Sequence, residues 1–114
     1  MIQIYHNPRC GKSRNCLLQL EESKQEYKII KYLEETPNFE ELVSLIKKLQ
    51  VKPIELVRTK ESIWMQNFKG KLLTDDEIIQ TMVSNPILIE RPILIKEDTA
   101  IIGRESNKAA NFLL

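Results

Sequence analysis

The stretch Tyr5-His6-Asn7-Pro8-Arg9-Cys10-Gly11-Lys12-Ser13-Arg14-Asn15 constrains this chain more than any other. Ile2 and Ile4 alternate with polar residues up to Tyr5, as in a strand, and Asn7-Pro8 then favours a turn. Beyond it, Ser13, Cys16, Leu17 and Leu20 recur at the i, i+3, i+4, i+7 spacing of a helix's buried stripe. A strand must therefore hand over to a helix within a few residues, with Cys10 at the junction. The unpaired N–H groups and partial positive charge of a helix N-terminus stabilise an anion, so a thiol placed there ionises more readily than a free one. Cys10 reads as a reactive thiolate, whereas Cys16, on the apolar stripe, reads as a small core residue.

The rest of the composition narrows the classes. A chain of 114 residues suits one domain, 1–114, with its own core. With 17 basic and 16 acidic residues there is no net field to draw nucleic acid or an anionic membrane, so any anion site has to be local. The apolar runs are too short to span a bilayer, and the N-terminus lacks a signal-peptide pattern, which points to the cytoplasm. Two cysteines do not make a disulfide framework, and one histidine offers no metal-ligand cluster, so neither a metal nor a bound cofactor is expected.

In chain order, the first helix runs to about Glu22, and an apolar segment from Tyr27 to Tyr32 completes a parallel β-α-β unit. Asn38 with Glu41, and Thr74 with Glu77, have the spacing of capping boxes, each followed by an apolar stripe: Leu42, Leu45, Ile46 and Leu49 in one, Ile78, Ile79, Met82 and Val83 in the other. Pro53 suits the first position of a short helix that ends near Arg58. Ile63 to Phe68 reads as another, packed on its aromatic residues and stopped by Gly70. Ile93-Leu94-Ile95 and Ala100-Ile101-Ile102 flank a polar turn as a hairpin, and Glu105 to Leu114 close the chain as a helix. The expected fold is α/β: β-α-β, then a helical insert over about 38–85 between the second and third strands, then β-β-α.

That order is the thioredoxin/glutaredoxin-like one, and the residues carrying it resemble the glutaredoxin-coupled arsenate reductase family. The resemblance rests on the opening His6 to Asn15 stretch, Tyr32-Leu33-Glu34, Leu56-Val57-Arg58, Thr74-Asp75-Asp76 and the run Asn85-Pro86-Ile87-Leu88-Ile89-Glu90-Arg91-Pro92-Ile93. It implies that Cys10 is the nucleophile, that Arg58, Arg91 and Arg104 surround a tetrahedral oxyanion such as arsenate, and that His6 supports the thiolate. It implies a cis-proline at Pro92, facing the cysteine. It also implies glutathione as co-substrate and glutaredoxin as redox partner, with arsenite as product.

The residues suit that chemistry on their own terms. A multiply charged oxyanion needs fixed cationic donors, and planar guanidinium groups supply paired N–H bonds to its oxygens. Arg14 and Lys12 in the first helical turn oppose the helix dipole, as cations near a bound anion would, or as solvated surface charge. His6 either orients the loop or tunes Cys10. Ser13 stands where a C-x-x-C motif has its second cysteine; its hydroxyl can hydrogen-bond a thiolate but cannot form a disulfide, so reducing equivalents come from outside. Two other classes stay open. A monothiol glutaredoxin-like thiol-disulfide oxidoreductase would not require three arginines, and a non-catalytic module like the Spx-type regulators would be expected to keep the C-x-x-C pair.

Overall fold

The structure, a computed structural model, describes Met1–Leu114. Its order is β1 (Ile2–Tyr5), α1 (Gly11–Glu22), β2 (Tyr27–Ile30), α2 (Phe39–Leu49), a 3-10 turn (Pro53–Leu56), α3 (Ser62–Asn67), α4 (Asp75–Ser84), a second 3-10 turn (Pro86–Leu88), β3 (Ile93–Lys96), β4 (Thr99–Ile102) and α5 (Ser106–Phe112). This is the thioredoxin-like order expected from the sequence. The chain divides into two compact units, Met1–Glu35 with Arg91–Leu114, and Thr36–Glu90.

The first unit holds a four-stranded sheet in the order β2-β1-β3-β4. β1 pairs parallel to β2 and antiparallel to β3, and β3 pairs antiparallel to β4. Period-two alternation sends Ile2 and Ile4 to one face, where they join Leu94, Cys16 and Leu20 of α1, and Ala109 and Leu113 at the C-terminal end, in one buried cluster. Burying each large aliphatic side chain here stabilises by about 1.5–3 kcal/mol, which fixes α1 and α5 against this face. Two side-chain bonds tie the helices together at the surface: Asn15 Nδ2 donates to Ser106 Oγ (3.0 Å) and Gln19 Nε2 to the Ser106 carbonyl (3.0 Å). On the other face Tyr5 stacks on Tyr32, with centroids 6.2 Å apart.

The second unit is all helical apart from one bridge, Val57 to Ile89, flanked by Arg58 N–H to Leu88 O (2.7 Å) and Glu90 N–H to Leu56 O (2.8 Å). Both capping boxes form: Asn38 Oδ1 accepts from the Glu41 amide (2.8 Å) and Thr74 Oγ1 from the Glu77 amide (3.2 Å), each glutamate reaching back to the cap's own N–H. Such caps are worth about 1 kcal/mol each. Trp64 and Phe68 pack together at 5.5 Å, as expected of an aromatic contact within the insert.

Candidate active site at the start of the first helix

The loop between β1 and α1 is held almost wholly by its own polar groups. His6 N–H donates to the Ile30 carbonyl (2.9 Å), carrying the β1–β2 ladder one residue past the strand. Asn7, buried, then acts in three directions. Its carbonyl accepts from Cys10 N–H (3.0 Å), its side-chain Oδ1 accepts from Arg9 N–H (3.0 Å), and its own N–H donates to Ser13 Oγ (3.0 Å). An asparagine that hydrogen-bonds the backbone two residues on is a turn former by mechanism. Sequence reasoning used Asn7 only as a turn signal beside Pro8 and missed this anchoring role, for which the Asn-x-Arg-Cys spacing was the available clue.

Ser13 Oγ lies 2.6 Å from His6 Nδ1. The hydroxyl already accepts the Asn7 N–H, and burial, followed by Lys31 and Arg14, pushes the His6 pKa below its ordinary value. A neutral imidazole with its proton on Nε2 satisfies both, leaving Nδ1 to accept the Ser13 hydroxyl proton. The Ser13 hydroxyl thus meets His6 and the Asn7 N–H, and it is the Ser13 backbone amide that favours the Cys10 thiolate. His6 meets the loop through Ser13, and its burial favours the neutral imidazole.

Cys10 is the N-cap residue of α1, extended at φ −98° and ψ 122°. Its sulfur makes no side-chain cap bond of standard geometry. Burial pushes its pKa up, but the Ser13 amide, the Arg91 side chain as donor and as charge, and the Lys12 amide outweigh that and hold it below the usual thiol value. The helix terminus thus works through the two amides that an N-cap side chain normally meets. Cys16 is fully buried, and burial alone drives its pKa up to about 11. Both thiols are free.

The remaining arginines differ in placement. Arg91 opens the cis Arg91–Pro92 peptide, and its Nε and Nη1 are buried without a hydrogen-bond partner in the protein. Arg104 donates from Nη1 to the Arg91 carbonyl (2.9 Å). Arg14 turns back to close the loop, Nη1 to the Pro8 carbonyl at 3.0 Å, and is absent from the groups that lower the Cys10 pKa. Arg58, in the helical unit, lies 3.7 Å from Glu90 Oε1 and 3.9 Å from Glu61 Oε2, with its Nη1 buried and unpartnered. An oxyanion drawing on Arg58 competes with two carboxylates. Gly103, just before Arg104, has a packing reason to be glycine: a Cβ there would sit 3.1 Å from Cys16 Sγ. No group of histidine, cysteine and acidic residues is placed to hold a metal ion, and no helix is long and apolar enough to cross a membrane.

A thiol at a helix N-terminus with an arginine beside it can attack an electrophilic centre that carries negative oxygens. Known proteins match this chain along nearly its whole length. It is similar to the uncharacterized protein YfgD of Escherichia coli (41% identical over 105 residues, 90% of this chain and 88% of that one). It is also similar to an arsenate reductase of Escherichia coli (42% over 95 residues, 82% of this chain and 67% of that one). Among solved structures, the arsenate reductase from Vibrio cholerae superimposes with a TM-score of 0.90 at 36% identity, covering 99% of this chain and 97% of that one. With the ArsC family profile matching residues 5–112, loop, cis-proline strand and closing helix included, the chain belongs to the ArsC family.

Proposed function

We propose that this protein is an arsenate reductase, an oxidoreductase that uses glutathione and glutaredoxin as its source of electrons. The observation that carries the reading is the Cys10 thiol itself, set at the start of α1 with the Ser13 and Lys12 amides and Arg91 favouring its thiolate. Family membership and the arsenate reductases among the relatives support the choice of oxyanion. Arg91, with Arg58 and Arg104 assigned by resemblance, holds the arsenate. The Cys10 thiolate attacks arsenic, an As–S bond forms, and an arsenic-bound oxygen leaves as water after taking up protons. Glutathione then adds to the cysteine-bound arsenic. As the S–S bond between Cys10 and glutathione forms, arsenic takes two electrons, falling from the +5 to the +3 state, and departs as arsenite. The balance is one arsenate and two thiols to one arsenite, one disulfide and one water. A glutaredoxin thiol attacks the glutathione sulfur of that disulfide, and Cys10 is restored. Ser13 in place of a second cysteine makes the external thiol necessary. A reducing compartment such as the cytoplasm keeps Cys10 competent.

Arsenite formation from arsenate, measured with glutathione and glutaredoxin present, tests the proposal. Turnover is expected in the native protein and in Cys16→Ser, and its loss in Cys10→Ser. A native protein that forms no arsenite but reduces glutathione mixed disulfides would overturn it in favour of a monothiol glutaredoxin-like activity.

A further inference from the structure

We propose that Arg104 is a positioning residue for Arg91: its guanidinium caps the Arg91 carbonyl where the β3–β4 ladder runs out, and so fixes the backbone that aims the Arg91 side chain at Cys10. The inference deepens the proposed activity, since it takes Cys10 as the reacting thiol. The ladder pairs Ile93 with Ile102, and Gly103 N–H then donates to the Pro92 carbonyl (2.8 Å), one residue past the strands. The next carbonyl along, that of Arg91, is served by a side chain, Arg104 Nη1 at 2.9 Å. The hydrogen-bonded register is thus carried through both residues of the cis peptide.

Apart from the bond that the Arg91 side chain donates to Cys10, its guanidinium has little to fix it by hydrogen bonding: its Nε and Nη1 are buried with no protein partner. Its direction is inherited from the backbone at Arg91 and Pro92. Pro92 is fully buried, with its ring 3.7 Å from where a Gly103 Cβ would lie, so one side of the peptide is held by packing and the other by Arg104. A guanidinium has five N–H donors, so this single bond leaves others for an oxyanion.

The test reads the thiol, not arsenate turnover, so failure of the arsenate reading leaves it interpretable. The pH dependence of Cys10 alkylation is measured in the native protein, Arg104→Ala, Arg91→Ala and the double variant, with circular dichroism to verify folding. If Arg104 acts through Arg91, Arg104→Ala raises the apparent Cys10 pKa by about half a unit, a fall of about threefold in thiolate at pH 7, and adds nothing once Arg91 is gone. Arg104→Lys, which keeps one donor, recovers part of the shift and guards against a folding defect in the alanine variant. An unchanged profile in Arg104→Ala, or equal effects of that substitution with and without Arg91, would overturn the proposal.

Discussion

The two ends of one helix segment put the same side chain to opposite uses. At the start of α1, Cys10 is half-buried and faces backbone amides and a guanidinium that favour its charged form. Two turns on, Cys16 lies among Ile4, Leu20, Leu94 and Ala109, where nothing compensates the loss of water and the thiol stays neutral, its pKa about 11. Burial opposes ionisation at both positions. What separates them is whether donors face the sulfur, and on a helix only the first turn offers unpaired backbone N–H groups. Cys16 instead contributes shape: its Sγ fills the space that the missing Cβ of Gly103 leaves.

The strongest way to break this contrast is labelling. With a pKa of about 11, roughly one Cys16 in ten thousand is ionised at pH 7, before its complete burial is counted. Native protein is expected to alkylate at Cys10 more than about a hundredfold faster than at Cys16, with the Cys10 rate rising with pH and levelling below the ordinary thiol range. Mass spectrometry of labelled peptides decides it. Cys16 labelled first below pH 7 would reverse the assignment.

A smaller effect sharpens the account of Cys16. Gly103→Ala forces a methyl to within 3.1 Å of a buried sulfur and is expected to cost about 1–3 kcal/mol, seen in chemical denaturation. Cys16→Ala, which alone leaves a small cavity, should recover part of that loss when combined with it. Strict additivity would mean that the two sites do not share one space.

The loop at the other end is expected to be a little more tolerant. Ser13→Ala strips a partner from the buried Asn7 N–H and from His6 Nδ1, at a cost of about 1–2 kcal/mol, and loosens the amide that serves Cys10. Slower Cys10 alkylation should accompany the lost stability. Lost stability with an unchanged alkylation rate would show that the Ser13 hydroxyl holds the fold without acting on the thiol.

What could be read in the sequence follows from the range of the interactions. Asn38 with Glu41 and Thr74 with Glu77 are local devices, three residues apart, and they form as spaced. The strands and α1 follow from periodicity, and the cis Arg91–Pro92 peptide stands where the family resemblance implies it. The Pro86–Leu88 turn and the left-handed Gln50 that ends α2 carried no such signature, since Gln50 takes φ 57° where glycine or asparagine is usual. At the site, Cys10 was legible from its junction, but the partners of Ser13 and of Arg104 were not. Ser13 lies seven residues from His6 and Arg104 thirteen from Arg91, and no periodicity links such pairs once a turn or hairpin intervenes. The packing role of Gly103 is hidden for the same reason. Only the fold shows that Cys16, distant in sequence, comes up against it.

The smallest expected effect is on the pH dependence of stability. The folded-state pKa of His6 lies below the ordinary imidazole value of 6.5, chiefly because burial disfavours the cation. In the unfolded chain the imidazole takes up a proton near 6.5; in the native protein it resists until lower pH. Between those two values the unfolded state binds more protons, so stability falls as the pH drops through the window and is fully present above 6.5. Cys10, also lowered, has the same sign, with a window that opens at its higher unfolded value, and Glu77 contributes only below 4.5. Thermal unfolding of Cys10→Ser between pH 5 and 7 therefore isolates the histidine. A declining midpoint is expected there, and a flatter profile when His6→Asn is added. If the slope survived the loss of His6, the buried imidazole would not be its source, and the account of His6 as neutral in the native protein would fail.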